Sequence, residues 1–173
     1  MKEKIINNPG LLEEYEILNI KYNKDGSLKS FYVLSSERDI KEMQIKSDEN
    51  ELDFKYNQGT ISKEEYDKAK EELNIKLNIQ NDIYDDLIFD MINSKDLDEV
   101  KEEVKNANLN DVDLKRLSSS LESIAIKKMT DFKNNNDEFK NKNLEEWNYS
   151  YNKIAKNYEK VREVERFILD LIK

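Results

Sequence analysis

Residues 143–171 read NLEEWNYSYNKIAKNYEKVREVERFILDL, and this stretch decides the fold class. Its apolar side chains recur every three or four residues, a spacing that places them on one face of an α-helix of roughly eight turns. Asn143 and Glu146 form a capping-box pattern at its start. A stripe this regular predicts a long helix packed against another long helix. Its members are Trp147, Tyr151, Ile154, Tyr158, Val161, Val164, Ile168 and Leu171.

The sequence between residues 36 and 134 also predicts helices. Ser36 is expected to cap the first helix, with Ser47-Asp-Glu-Asn50 as an alternative break and Gly59 as the end of the following short helix. Ser62-Lys-Glu-Glu65 is a second capping box, and its helix is expected to reach about Asn93 or to break at Asn81-Asp82. Ser94 is expected to cap a short helix, and a longer one carries apolar residues from Leu114 to Phe132.

The N-terminal region holds the one strand signal. Residues 16–22 and 27–34 are rich in β-forming side chains and flank Asn23-Lys-Asp-Gly26, so they predict a β-hairpin. The domain prediction is therefore an N-terminal segment with a hairpin, residues 1–35, and a helical bundle, residues 36–173, as one continuous domain. The predicted fold class is mainly α.

Composition supports helices and disfavours many enzyme classes. Hydrophobic residues make up 37% of the chain and charged residues 39%, with three glycines and one proline, which suits amphipathic helices with few tight turns. Because the chain has no histidine and no cysteine, it cannot build disulfides, thiolate metal sites or histidine-based catalytic triads. A binding or structural role is therefore favoured over catalysis, with no cofactor.

Negative charge is concentrated in the middle of the chain. Residues 37–103 hold 21 acidic and ten basic residues, a net charge of −11 within a total of −9. Such a surface repels the phosphates of nucleic acids and attracts basic proteins, although it can also serve only to keep the helices solvated. The sequence shows no signal peptide and no apolar segment of membrane-spanning length, so we expect a cytoplasmic protein without membrane contact.

Residues 52–73 read LDFKYNQGTISKEEYDKAKEEL. This segment resembles the SHOCT motif, which is a short helical hairpin. The resemblance implies an oligomerisation or adaptor element without catalysis. A glycine-ended helix followed by a capping box and an amphipathic helix would produce the same pattern on physical grounds alone. The matching positions are Gly59, Ile61, Ser62, Glu64, Glu65, Tyr66, Lys70 and Leu73.

Two groups of residues are candidates for a site. Asp82, Asp85, Asp86 and Asp90 lie three or four residues apart, so a helix would bring their carboxylates to one side, where they could bind Mg²⁺ or a basic partner. A solvated acidic face is the alternative. Trp147, Tyr151 and Tyr158 could anchor a protein partner, and core packing is their alternative.

Three functions follow from these features. The first is a non-catalytic interaction or assembly protein, with a protein partner or self-association, in a phage or mobile-element setting. The second is an acidic inhibitor that mimics nucleic acid and blocks a basic nucleic-acid-binding enzyme. The third is a small Mg²⁺-dependent helical enzyme that uses the four aspartates.

Overall fold

A computed structural model describes residues 24–26, 30–134 and 144–172, without the side chains of Lys133 and Trp147. Five helices occupy almost all of these residues, which confirms the mainly helical fold class. They are α1 (Phe31–Asn57), α2 (Lys63–Ser94), α3 (Leu97–Asn106), α4 (Asp111–Asn134) and α5 (Leu144–Leu171).

The chain divides into two compact units, Met1–Leu87 and Ile88–Lys173. The division falls inside α2, between Leu87 and Ile88. The predicted domain bounds, residues 1–35 and 36–173, stay a prediction. In the first unit, α1 and the part of α2 up to Leu87 form an antiparallel helical hairpin: Arg38 contacts Asp85, while Lys70 contacts Glu49.

The turn of this hairpin is stabilised at residues that the sequence identifies. Gly59 lies in the left-handed region, with φ 69°, just beyond the end of α1. The amide of Gly59 donates to the carbonyl of Tyr56 (3.0 Å) and that of Thr60 to the carbonyl of Lys55 (2.9 Å), the pattern of a Schellman motif. The predicted capping box is also present. The Ser62 amide donates to Glu65 Oε2 (2.8 Å), and the Glu65 amide donates to Ser62 Oγ (3.2 Å).

Several predicted helix boundaries are wrong. The first helix begins at Phe31 rather than after Ser36, and the Ser36 hydroxyl donates to the carbonyl of Tyr32 inside it. The helix continues through Ser47-Asp-Glu-Asn50. Helix α2 ends at Ser94, which confirms the predicted end near Asn93, and the alternative break at Asn81-Asp82 is absent. Ser94 ends α2, with its hydroxyl donating to the carbonyl of Met91 (2.9 Å), and Asp96 is the N-cap of α3. Ser36 thus bonds back into the helix instead of capping it, and Asp96 has the capping role that was expected of Ser94.

The predicted β-hairpin lies largely outside the described residues. Lys24, Asp25 and Gly26 form a turn, and Gly26 has φ 82°. Residues 31–34, the end of the predicted second strand, are helical, with Phe31 and Leu34 fully buried. The second strand of the predicted hairpin therefore does not extend past Ser30, because residues 31–34 belong to α1.

The second unit comprises the end of α2 together with α3, α4 and α5. Helices α4 and α5 are antiparallel, since Glu122 lies near Arg162 and Phe132 near Tyr151. Helix α3 also packs on α5, where Lys101 and Lys105 each lie 5.6 Å from the ring centroid of Phe167. Fully buried aliphatic side chains form the core: Ile88, Ile92, Val100, Leu121, Ile124, Val161, Val164 and Ile168. No helix in the described ranges is long and apolar enough to cross a membrane.

Candidate interaction surface

The outer face of α1 exposes large apolar side chains. Ile40 is 66% exposed, Met43 67% and Phe54 64%. At 100° per residue these three positions fall within a narrow sector of the helix, together with Ser47 and Asn50, which are exposed as well. We call these five residues the α1 stripe. Grouped exposure of this kind, in contrast to single scattered apolar residues, is typical of a surface that a partner covers.

Helix α2 contacts the opposite side of α1. The Tyr66 hydroxyl donates to Asp53 Oδ1 (2.6 Å), and Lys70 Nζ donates to Glu49 Oε1 (2.5 Å) and lies 3.2 Å from Asp53 Oδ1. The rings of Tyr56 and Tyr66 are stacked, with centroids 4.4 Å apart. Glu49, Asp53 and Tyr56 of α1 therefore contact α2, and the α1 stripe points away from it.

These contacts shift the ionisation of the residues that make them. The hydrogen bond from Tyr66, followed by that from Lys70, lowers the pKa of Asp53. The hydrogen bond to Glu49 is the main reason that the pKa of Lys70 is raised above its ordinary value. The Asp53 carboxylate and the Lys70 ammonium are therefore both charged at neutral pH, and their contact joins the two helices close to their turn.

A buried ion pair joins the helices at the other end of the hairpin. Arg38 Nη1 donates to Asp85 Oδ1 at 2.7 Å, and the two side chains are 12% and 9% exposed. Gln80 donates to the backbone carbonyl of Arg38 (3.2 Å), and Lys41 Nζ lies 5.4 Å from the ring centroid of the fully buried Tyr84. Charges removed from water in this way need their partners, so this end of the hairpin depends on the pair.

The four predicted site aspartates have different surroundings. Asp85 is buried against Arg38, Asp82 and Asp86 are partly exposed, and Asp90 is exposed and belongs to the second unit. Asp85 thus has a structural role whatever else it does. Among the Asp and Glu residues that the structure describes, no three come together in a way that could hold a metal ion.

The predicted aromatic anchors on α5 likewise differ in their exposure. Tyr151 is 40% exposed, and its ring lies 5.9 Å from that of the buried Phe132 on α4. Tyr158 is partly exposed. The side chain of Trp147 lies outside the described part. Tyr149, which the sequence analysis did not single out, is 72% exposed, and Leu144 is 75% exposed.

Each unit also contains an open groove. In the first unit, Leu52, Ala69 and Leu73 line a groove of about 280 Å³ between α1 and α2, together with charged residues that include Glu51 and Glu72. The second groove, about 520 Å³, is lined by polar residues of the second unit, including Lys153, Lys156 and Glu163. The Lys160 ammonium there donates to the carbonyl of Lys95, just after the end of α2, so this lysine stabilises the fold.

Acidic residues of the middle region are used within the protein itself. Glu42 pairs with Lys46 (3.0 Å), Glu51 with Lys55 (2.7 Å) and Glu103 with Lys95 (3.0 Å), in addition to the pairs made by Glu49, Asp53 and Asp85. These pairs involve Arg38 and four lysines of the same region, which the net charge of −11 already counts, so an excess of acidic residues remains.

Comparison with protein-family models, curated proteins and solved structures gives no match to this chain. The resemblance of residues 52–73 to the SHOCT motif stays a prediction. The helix–turn–helix geometry found there follows from the Schellman motif at Gly59 and the capping box at Ser62, which act in any sequence that contains them.

Sequence reasoning missed the α1 stripe, although a signal for it exists. Val33, Ile40, Ser47 and Phe54 are spaced seven residues apart. Placing the helix start at Ser36 and a break at Ser47-Asp-Glu-Asn50 divided this repeat into pieces too short to be noticed.

Proposed function

We propose that this chain is a non-catalytic protein-interaction or assembly protein, and that the outer face of α1 is its principal binding surface. The observation that carries the proposal is the exposure of Ile40, Met43 and Phe54 on one face of a helix whose other face is already occupied by α2. Exposing these side chains to water is unfavourable, and a partner that covers them would remove that cost.

The inhibitor and Mg²⁺-enzyme hypotheses receive less support. Mimicry of nucleic acid needs carboxylates available at the surface, yet Asp85 is buried against Arg38, and Glu42, Glu49 and Glu51 form ion pairs within the chain. A metal enzyme needs converging ligands, and the described acidic residues do not supply three together. The cytoplasmic location and the phage or mobile-element setting stay predictions from the sequence.

Affinity purification from the native host, followed by mass spectrometry, tests the proposal. The tagged wild-type chain is compared with Ile40→Asp and with Val112→Asp, a matched change at a position of α4 that is 65% exposed. We expect a bound protein, either a different protein or untagged copies of this chain, to be recovered with the wild type and Val112→Asp and lost with Ile40→Asp. Recovery that is equal for all three proteins, or no recovery with any, would overturn the proposal.

A further inference from the structure

The α1 stripe extends into a heptad repeat. Val33, Ile40, Ser47 and Phe54 form one series at seven-residue spacing, and Ser36, Met43, Asn50 and Asn57 form a second series three residues later. Alternating steps of three and four residues place both series on one seam of the helix. All of these residues are exposed except Val33, which is partly exposed. The seam spans more than three heptads of α1, long enough for a partner helix to follow it.

We propose that this seam, Val33 to Asn57, forms a parallel coiled coil with α1 of a second copy of the chain. The inference rests on the proposed function and names the partner for its binding surface. A helix fits this seam as a partner because the seam is narrow and repeats every seven residues. Helix α2 does not obstruct it, since Arg38, Glu49 and Asp53 hold α2 on the opposite side of α1.

The order of residues along the seam favours the parallel orientation. In parallel register each layer meets its own equivalent, so Ile40 packs on Ile40, Met43 on Met43 and Phe54 on Phe54, while Asn50 can hydrogen-bond to Asn50. In the antiparallel orientation centred on the same seam, Ile40 would face Asn50 and Phe54 would face Ser36. Apolar layers would then face polar ones throughout, so less apolar surface would be buried against apolar surface to drive association.

The flanking charges favour the same arrangement. In parallel register Lys46 of one copy lies opposite Glu51 of the other, and this pair occurs twice in the dimer. Both side chains have room for a new partner, since they are 62% and 65% exposed. The antiparallel arrangement would instead place Lys46 against Lys46 and Asp39 against Asp53. Like charges facing each other would oppose that dimer.

Charge reversal followed by mixing tests the proposal on the full chain. Sedimentation equilibrium should show the wild type approaching twice the chain mass of 20.6 kDa as concentration rises. Lys46→Glu and Glu51→Lys, each alone, should weaken dimerisation roughly tenfold, because each places like charges opposite one another at two points. An equimolar mixture of the two variants should restore the dimer, because the heterodimer regains opposite charges at both points.

Controls separate this inference from the proposed function. Lys115→Glu, the same reversal at an exposed position of α4, should leave the dimer unchanged, and circular dichroism should show equal helix content for all variants. A monomeric wild type, or a mixture no more dimeric than its components, would overturn the coiled coil. If Ile40→Asp still abolished recovery of a different protein in the affinity experiment, the proposed function would stand with a heterologous partner.

Discussion

Gly59 shows how one residue sets the geometry of the first unit. With φ at 69°, it occupies a conformation that costs an L-residue energy because its Cβ approaches the neighbouring carbonyl oxygen. No atom lies within 4 Å of the place where a Cβ would be, so a substitution there is limited by backbone strain and not by space.

Replacing Gly59 with alanine should therefore destabilise the protein by about 1 kcal/mol, without loss of the fold. Chemical denaturation followed by circular dichroism measures the change. Thr60→Ala, at the adjacent exposed position, is the control and should have a smaller effect. An unchanged midpoint for Gly59→Ala would show that this turn is not held in the left-handed conformation.

Turn and capping signals, such as a helix-ending glycine or a capping box, can be predicted well from the sequence. Gly59 and the Ser62–Glu65 capping box were predicted and are confirmed because each acts through backbone groups only one to five residues away. Asp96 and Asn110 were missed, although each caps a helix; the Asp113 amide donates to Asn110 Oδ1 at 2.8 Å. In that region several Asp, Asn and Ser residues compete for the same role, and local chemistry does not rank them.

At the scale of elements, charge pairs join the two helices of the hairpin. Arg38 and Asp85 are 47 residues apart in the chain and nearly excluded from water. No pattern in the sequence identifies such a pair, since Asp85 looks like one of four equivalent aspartates until the hairpin register is known. This is why the sequence analysis placed it in a surface site.

Removing one partner of this pair should be costly. Arg38→Met leaves the Asp85 carboxylate buried without its cation and should reduce the free energy of unfolding by about 3 kcal/mol. The double variant Arg38→Met with Asp85→Leu should recover most of that loss, because neither charge of the pair is then buried. Lys55→Met, which breaks the exposed pair with Glu51, should change stability by less than about 0.5 kcal/mol. Equal losses for Lys55→Met and Arg38→Met in urea denaturation would contradict this account.

A second buried charge lies in the helix pair α4–α5. The Glu165 side chain is 8% exposed and accepts a hydrogen bond from Arg162 Nη1 (2.7 Å), which also lies 3.8 Å from Glu122 on α4. Burial is the main cause that raises the pKa of Glu165 above its ordinary value of 4.5; Arg162 and Arg166 act in the opposite direction, and Glu122 adds to the increase.

A raised pKa means that the folded protein binds this proton more tightly than the unfolded chain does. The ionised form therefore costs stability above the folded-state pKa, and the cost disappears as pH falls below 4.5. Relative to Glu165→Gln, which cannot ionise, the wild type should gain stability as the pH is lowered from 7 to 4. Urea denaturation of both proteins at the two pH values measures this difference. A wild type that instead loses stability relative to the variant would show that the Arg162 contact dominates over burial.

At the scale of the whole molecule, the sequence predicts the class of fold but not its division. Amphipathic spacing and low glycine content predicted a helical protein, and the long C-terminal helix is present with Val161, Val164 and Ile168 in its core. The division at Leu87 and Ile88 lies within the unbroken helix α2. Such a boundary depends on which distant residues pack together, and only the three-dimensional contacts contain that information.

The exposed seam on α1 is likewise a property of the assembled hairpin. An apolar residue on a helix is normally expected to face the core. In the structure, α2 packs on the other face of α1, and Ile40 and Met43 are each more than 60% exposed. Which of two amphipathic faces a helix buries internally is decided by packing and not by local sequence.

Sedimentation equilibrium of the wild type beside Ile40→Asp and Val112→Asp tests the central claim most directly. Both variants place a carboxylate at an apolar position of nearly equal exposure, so they differ only in whether the α1 stripe is altered. We predict that the wild type and Val112→Asp approach twice 20.6 kDa with rising concentration, while Ile40→Asp remains at 20.6 kDa. Equal masses for all three proteins would contradict the assignment of α1 as the surface of self-association.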